Sequence, residues 1–253
     1  MIYLSPRPDH KLRTAFTQDS VPQELLPYTQ NPANYFAVTN QRTTIFLKRL
    51  RQLESIYGPV EKNAHPKVLD VGASAGTFVK LAGDQGWLAF GIEPSWSGTR
   101  EALRKGLDIP IAVAEKLPFP DETFDLVHSH HVFEHLANPM DAAQEAWRVL
   151  KPGGVIFIEV PNQFDNIMFR RDMLFRRVPQ RQRNIRSIHH LWFFGRSTLQ
   201  RLLIQAGFQK VQVHDFFGGP LVGWRIPFTV VTRLIGQLVY GGDFLNAWGW
   251  KPG

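Results

Sequence analysis

The chain has 253 residues, 43% of them hydrophobic, and a formal net charge of +7. That length suits one large α/β domain with additions, and the absence of cysteine excludes disulfides, thiolate zinc sites and thiol nucleophiles. The N-terminal MIYLSPRPDHKLRT has charges and prolines where an export signal needs an apolar core, so a cytoplasmic location is expected.

The basicity is local. Between Asp165 and Arg186, seven arginines stand against two acids, a local charge of +5. Such a stretch reads as a solvated or anion-facing insertion, as a contact for an anionic membrane surface or a phosphorylated substrate, or as a nucleic-acid contact.

In chain order, a Pro-containing arm with Tyr28, Tyr35 and Phe36 comes first. From Gln41 to Tyr57, Ile45, Phe46, Leu50, Leu53 and Ile56 recur at near-helical spacing, which predicts a helical lead-in placed to cap a cleft. VLDVGASAGTFVKL, residues 68 to 81, reads as a buried strand running through a turn of very small residues into a helix. Gly72, Ala73, Ser74, Ala75 and Gly76 let a ligand approach the main chain closely, at a helix start whose N–H groups point outward.

Further strands are predicted over Leu88 to Ile92, Ile109 to Val113, Phe124 to His128, Val155 to Val160 and Val211 to Phe216. Helices are predicted over Thr77 to Gln85, Ser97 to Lys105, Pro139 to Leu150 and Ser197 to Gln205, with stop signals such as LKPGG and QAGF. This alternation implies a doubly wound parallel sheet that binds ligands at the carboxyl ends of its strands. Two stretches fall outside it, the basic connection 163–190 and the aromatic tail 216–253. IPFTVVTRLIGQLVY in the tail is too short and too interrupted to span a membrane; it suits packing on the main domain, or resting at a membrane or against a lipid-like substrate.

The turn departs from the Gly-x-Gly-x-x-Gly fingerprint of NAD enzymes, since GASAG lacks the third glycine. Glu93, after the strand LAFGI, is placed to accept the ribose hydroxyl protons of an adenosine ligand. AEKLPFPDETFDLVHSHHVFEHL then adds a proline-bearing turn and an acid-led strand.

With these pieces the chain resembles the class I S-adenosylmethionine-dependent methyltransferases, in particular their broad small-molecule subgroup. The likeness runs over residues 67–214 through VLDVGASAG, GIEP, AEKLPFPDETFDLVHSHHVFEHLANP, VLKPGGVIFIEVPN and HHLWFFGRSTLQRLLIQAGF. It implies an α/β fold with a doubly wound, Rossmann-like, mostly parallel seven-stranded sheet and helices on both faces. It also divides the chain into an arm and helical cap (1–60), a cofactor-binding domain (61–215, with the basic insertion 163–190) and an aromatic extension (216–253).

By the same resemblance the cofactor is S-adenosylmethionine. Asp70, Gly72, Ala73, Ser74 and Gly76 surround its methionine part and Glu93 holds its ribose. Ala114 and Glu115 border its adenine, and His130 lines the sulfonium end. Ser74 replaces the usual middle glycine, which suits a backbone that is not left-handed there. Val113 replaces an acid that often contacts the adenine.

Methyl transfer needs an aligned nucleophile and a base titrating near neutrality, and histidine suits the second task. HSHHVFEH supplies His128, His130, His131 and His135; His189 and His190 precede LWFFG, where Trp192 and Phe193 suit either an acceptor wall or core packing. His130 and His190 are the expected catalytic residues. His131, Glu134 and His135 share a helical face and could join a later histidine around a divalent metal, an arrangement similar to the Glu-x-x-Glu-His with a distant histidine of some methyltransferases of this superfamily; the first position here is His131 and not Glu, and no metal is expected. The reaction expected is O-methylation of a small-molecule, sugar or lipid-linked acceptor, with peripheral contact to an anionic membrane. Alternatives are a nucleic-acid methyltransferase, disfavoured by HSHH where an Asn/Asp-Pro-Pro-aromatic turn would stand, and an inactive binding protein of the same fold.

Overall fold

The structure, a computed structural model, describes residues 2–3, 40–58, 65–162, 190–216 and 242–253. The arm with Tyr28, Tyr35 and Phe36, the seven arginines, His189 and the segment IPFTVVTRLIGQLVY lie outside the described residues.

The elements in order are β1 (Ile2–Tyr3), α1 (Asn40–Tyr57), β2 (Lys67–Val71), α2 (Thr77–Asp84), β3 (Leu88–Ile92) and α3 (Trp96–Arg104). Then come β4 (Phe124–His130), a 3-10 turn (Phe133–His135), α4 (Pro139–Val149), β5 (Leu150–Pro161), β6 (Trp192–Phe193), α5 (Arg196–Gln205), β7 (Gln209–Phe216) and β8 (Phe244–Trp250). The helix starts follow local chemistry. Ser95 caps α3 by accepting from Gly98 N at 3.2 Å, and Asn138 caps α4 by accepting from Met140 N at 3.1 Å, with Pro139 next in the first helical turn.

Among the described residues the main sheet has six strands, against the seven expected, in the order β3-β2-β4-β5-β8-β7. β2 to β5 run parallel, and β8 pairs antiparallel with both β5 and β7. Two expectations need correction. Ile109 to Val113 makes no strand of this sheet, only isolated bridges from Ile111 to Glu93 and from Val113 to Lys116. Pro110 has no N–H to continue a ladder, and Ile111 and Val113 remain exposed beyond the edge strand β3. Conversely Phe244–Trp250, assigned above to an aromatic extension, is a sheet strand in which Leu245 and Ala247 are buried. The aromatic content concealed an ordinary antiparallel strand.

Alternation along the strands divides the core. Val68, Leu126 and Phe157 face Leu50 and Leu53 of α1 and Phe78 and Ala82 of α2, while Leu69, Val127, Ile156 and Ile158 face α4 and α5. Helices thus cover both faces, as expected. The two-residue period also sets Asp70, His128, His130 and Glu159 on the α1/α2 face, where α1 lies over them. None of the described helices is long and apolar enough to cross a membrane.

Candidate active site

The turn after β2 closes as a small cup at the carboxyl end of the sheet. Gly72 N and Ala73 N both donate to Ile92 O, at 2.9 and 2.8 Å, tying the turn to the end of β3. Gly72 and Gly76 adopt φ of +79° and +74°; a Cβ at Gly72 would stand 2.4 Å from Val132 Cγ2, and one at Gly76 2.5 Å from Leu107 Cδ1. The side chains of Ala73 and Ala75 are buried, so this cup offers a ligand mainly main chain.

Ser74 corrects the sequence reading, because its φ is +51°, in the left-handed region. Its N–H donates to Glu93 Oε2 at 2.9 Å, and Ser95 N donates to Oε1 at 3.0 Å. Both carboxylate oxygens of Glu93 are thereby aimed from the main chain, and each retains a lone pair for a second donor. A turn with no side chain larger than that of Ser74, beside a fixed, half-buried carboxylate, fits the methionine and ribose parts of S-adenosylmethionine.

Glu115 holds its own loop in place. Its Oε1 accepts from Ala137 N at 2.9 Å and Asn138 N at 3.4 Å, tying the loop to the start of α4, while Ala114 is buried in the main core. Arg148 braces the same loop through Phe119 O at 2.9 Å, Leu117 O at 3.1 Å and Asp121 Oδ1 at 2.7 Å. The proline-bearing loop therefore presents a braced wall beside the cup.

Asp70 and His128 are cross-strand partners with Oδ1 2.7 Å from Nδ1, and both are buried. His128 stacks on Phe78 with ring centroids 3.9 Å apart. Burial raises the Asp70 carboxyl to about 8 and holds His128 well below its ordinary value. Asp70 therefore lies under the cup as half of a buried pair, and His128 is withdrawn from surface chemistry.

Two residues further along the strands lies a second polar row. His130, Glu159 and Asn246 are successive partners across β4, β5 and β8. His130 Nδ1 lies 2.9 Å from Glu159 Oε1, and Arg49 of α1 reaches the other oxygen, Oε2. With its amide turned to match its neighbours, Asn246 donates to Glu159 Oε2 at 2.7 Å and accepts from Arg49 Nη1 at 3.0 Å. Burial alone would raise Glu159, but His130 and Arg49 outweigh it and hold the carboxyl at about 2. Burial lowers His130, against the pull of Glu159, so its imidazole is neutral at pH 7.

Sequence reading missed Arg49, Glu159 and Asn246. The signal for two of them was present: Arg49 shares the apolar stripe of Phe46, Leu50 and Leu53, and Glu159 interrupts the run VIFIEV. A charge on a buried face requires a partner.

Beyond β4 the chain turns sharply at His131, φ +56°, whose Nδ1 lies 3.2 Å from Glu134 Oε1. Leu191 N donates to Glu134 O at 2.7 Å and Trp192 Nε1 donates to Leu136 O at 2.7 Å. These bonds staple the segment after the basic connection along the 3-10 turn. His190 is thereby set beside His135, ring centroids 4.8 Å apart. Trp192 and Phe193 are buried, so these two rings pack in the core and form no open wall.

Residues 38–213 match the family model described as a methyltransferase domain. The chain is 32% identical over 160 residues to an uncharacterized methyltransferase of Schizosaccharomyces pombe, covering 54% of this chain and 52% of that protein. It is 30% identical over 176 residues to a ubiquinone/menaquinone biosynthesis C-methyltransferase of Laribacter hongkongensis, covering 60% and 71% respectively. It therefore spans about half the length of the first of these relatives. Among solved structures, a SAM-dependent methyltransferase of Archaeoglobus fulgidus superposes with a TM-score of 0.60 at 17% identity, over 89% of this chain and 100% of that one. Phosphoethanolamine N-methyltransferase 2 of Haemonchus contortus, in complex with phosphomonomethylethanolamine and S-adenosylhomocysteine, superposes with a TM-score of 0.63 at 16% identity, over 92% and 61%. With its six-stranded sheet, its turn after β2 and the family model spanning most of its length, the chain belongs to the S-adenosylmethionine-dependent methyltransferases.

Proposed function

We propose that the chain transfers a methyl group to an oxygen of a small-molecule, sugar or lipid-linked acceptor, with His130 as general base. S-adenosylmethionine, when bound, supplies a methyl group already activated by its sulfonium charge. The chain's own tasks are then to hold that cofactor, orient the acceptor and take up a proton. The main chain of Gly72, Ala73, Ser74 and Gly76 would hold the methionine part, Glu93 the ribose hydroxyls, and the loop of Ala114 and Glu115 the adenine side, with Asp70 beneath the turn.

The observation that supports His130 is its pairing with Glu159. His130 Nδ1 stands 2.9 Å from Glu159 Oε1; a neutral imidazole that keeps its proton on that nitrogen has Nε2 as its proton acceptor, and the imidazolium formed is stabilised by the nearby ionised carboxylate. His190 lies beside His135 and is the second candidate for proton uptake.

The test has two parts. Calorimetric titration with S-adenosylmethionine and with its demethylated product should show micromolar binding of both. A screen of hydroxylated acceptors should then give turnover that His130→Gln lowers at least about a hundredfold, with cofactor affinity retained. Binding of neither ligand would favour an inactive binding protein, and full turnover in His130→Gln would remove that residue as base.

Carbon methylation is a second reading, favoured by the names of the relatives in ubiquinone/menaquinone biosynthesis. The position of the new methyl group in the product, read by NMR, separates the two. Peripheral membrane contact belongs to the same proposal, and retention of the protein on anionic vesicles tests it.

A further inference from the structure

The cluster beyond β4 is not needed to hold the methyl donor, and it has the chemistry of a cation site. Glu134, His135 and His190 each bring one ligand atom into a group whose members all lie within 4.8 Å of one another. Glu134 is only 2% exposed, and its Oε2 is buried without a hydrogen-bond partner. A buried carboxylate oxygen left unsatisfied is costly, and a cation is one way to satisfy it.

The surroundings hold this group in place. The 3-10 turn puts Glu134 and His135 next to each other, and the bond from Leu191 N to Glu134 O sets His190 against them. His131 Nδ1 at Glu134 Oε1 orients the carboxylate from behind, the supporting role that a neighbour of a metal ligand commonly plays. The adjoining group of His130, His131 and Glu159 also has ligand atoms close together, but the Arg49 guanidinium already balances Glu159.

We infer that Glu134, His135 and His190 bind a divalent transition-metal ion, with positions left open for an acceptor oxygen. Two imidazoles and one carboxylate, without thiolates, suit borderline ions such as Co2+ or Zn2+. This revises the expectation of no metal: of the residues the sequence grouped, Glu134 and His135 remain, His190 is the later histidine that joins them, and His131 stays outside the ligand group. The role assigned to the ion rests on the transfer reading. Bound there, it would lower the pKa of an acceptor hydroxyl, whose proton His130 then accepts.

The site is tested by titrating the full chain, stripped with a chelator, with Co2+ alone and following its visible absorption. One saturable ion per chain is expected. Glu134→Gln and His190→Asn should each weaken binding at least about tenfold, whereas His65→Asn, on the opposite loop, should not. Both variants are checked for a native circular dichroism spectrum and for cofactor affinity by calorimetry. His135→Asn supplies a third variant should either fail to fold. Absence of saturable Co2+ binding, or binding indifferent to Glu134→Gln and His190→Asn, overturns the inference. Cofactor binding without metal binding defeats this site and leaves the methyltransferase reading intact; metal binding without cofactor binding does the reverse.

Discussion

Asp70 and His128 oppose each other on adjacent parallel strands, Oδ1 2.7 Å from Nδ1, with no exposure of the His128 side chain. Because burial raises Asp70 to about 8 and depresses His128, the folded pair carries one proton through neutrality. In the unfolded chain that proton sits on histidine below roughly pH 6.5 and is lost above it.

The sign follows from this difference. Between about pH 4 and 6.5 both states hold one proton on the pair, and its contribution to stability is flat. From 6.5 to about 8 the folded state holds more protons, so stability falls as pH rises, by roughly 2 kcal/mol over that window. Urea midpoints at pH 6.5 and 8.5 should show this fall in the native chain, and Asp70→Asn should reduce it. An equal fall in the variant would assign the effect to other groups.

The contact between Arg49 and Glu159 joins α1 to β5 inside the protein. Removing one member leaves the other as an uncompensated buried charge, and breaking such pairs costs about 3–5 kcal/mol. Glu159→Gln should therefore destabilise strongly. The double variant Arg49→Met with Glu159→Gln should be less destabilised than the sum of the singles, by at least about 1 kcal/mol. Additive losses in a double-mutant cycle measured by denaturant unfolding would show that the pair does not couple.

Ser74 is a test of backbone strain. Left-handed backbone costs a non-glycine residue about 1–2 kcal/mol, part of which glycine returns as greater unfolded-state freedom. Ser74→Gly should consequently raise stability by about 0.5–1 kcal/mol with the turn intact, since its bond to Glu93 uses the main-chain N–H. Gly76→Ala should act oppositely, because its Cβ would meet both Leu107 Cδ1 at 2.5 Å and Ile109 Cδ1 at 2.9 Å. Thermal melts of the two variants moving in the same direction would contradict this account.

The layered fold was legible because local signals agreed. The turn after β2, the stop signals LKPGG and QAGF and the alternation of apolar strands with helices all specify one architecture. Ile109 to Val113 misled because periodicity is silent on pairing, and its main chain meets only the far end of an edge strand. Phe244–Trp250 was obscured for the converse reason, since Leu245 and Ala247 become core only once β5 and β7 flank them. At the site, the residues next to one another in sequence were legible. The rows Asp70–His128 and His130–Glu159–Asn246 were not, because strand register creates them across long sequence separations.

Glu93 and Gly98 supply a way to test cofactor recognition without changing a residue of the cup itself. The main-chain N–H groups of Ser74 and Ser95 aim the Glu93 carboxylate, and Gly98 on α3 packs beneath its stem. A Cβ at Gly98 would stand 2.8 Å from Glu93 Cγ and 2.9 Å from Ser95 Oγ, closer than such contacts are found. The flexible carboxylate stem would yield first, moving its oxygens away from the proposed ribose position. Alanine is meanwhile a better helix former than glycine by about 1 kcal/mol, so Gly98→Ala should leave thermal stability near its native value. Its affinity for S-adenosylmethionine should fall nonetheless, and Glu93→Ala, which removes a charged hydrogen-bond acceptor, should lower affinity at least about tenfold. Calorimetry on both variants reads the result directly. Native affinity in Glu93→Ala would remove this carboxylate from cofactor recognition, whereas loss in Glu93→Ala with native affinity in Gly98→Ala would show that α3 adjusts to relieve the contact.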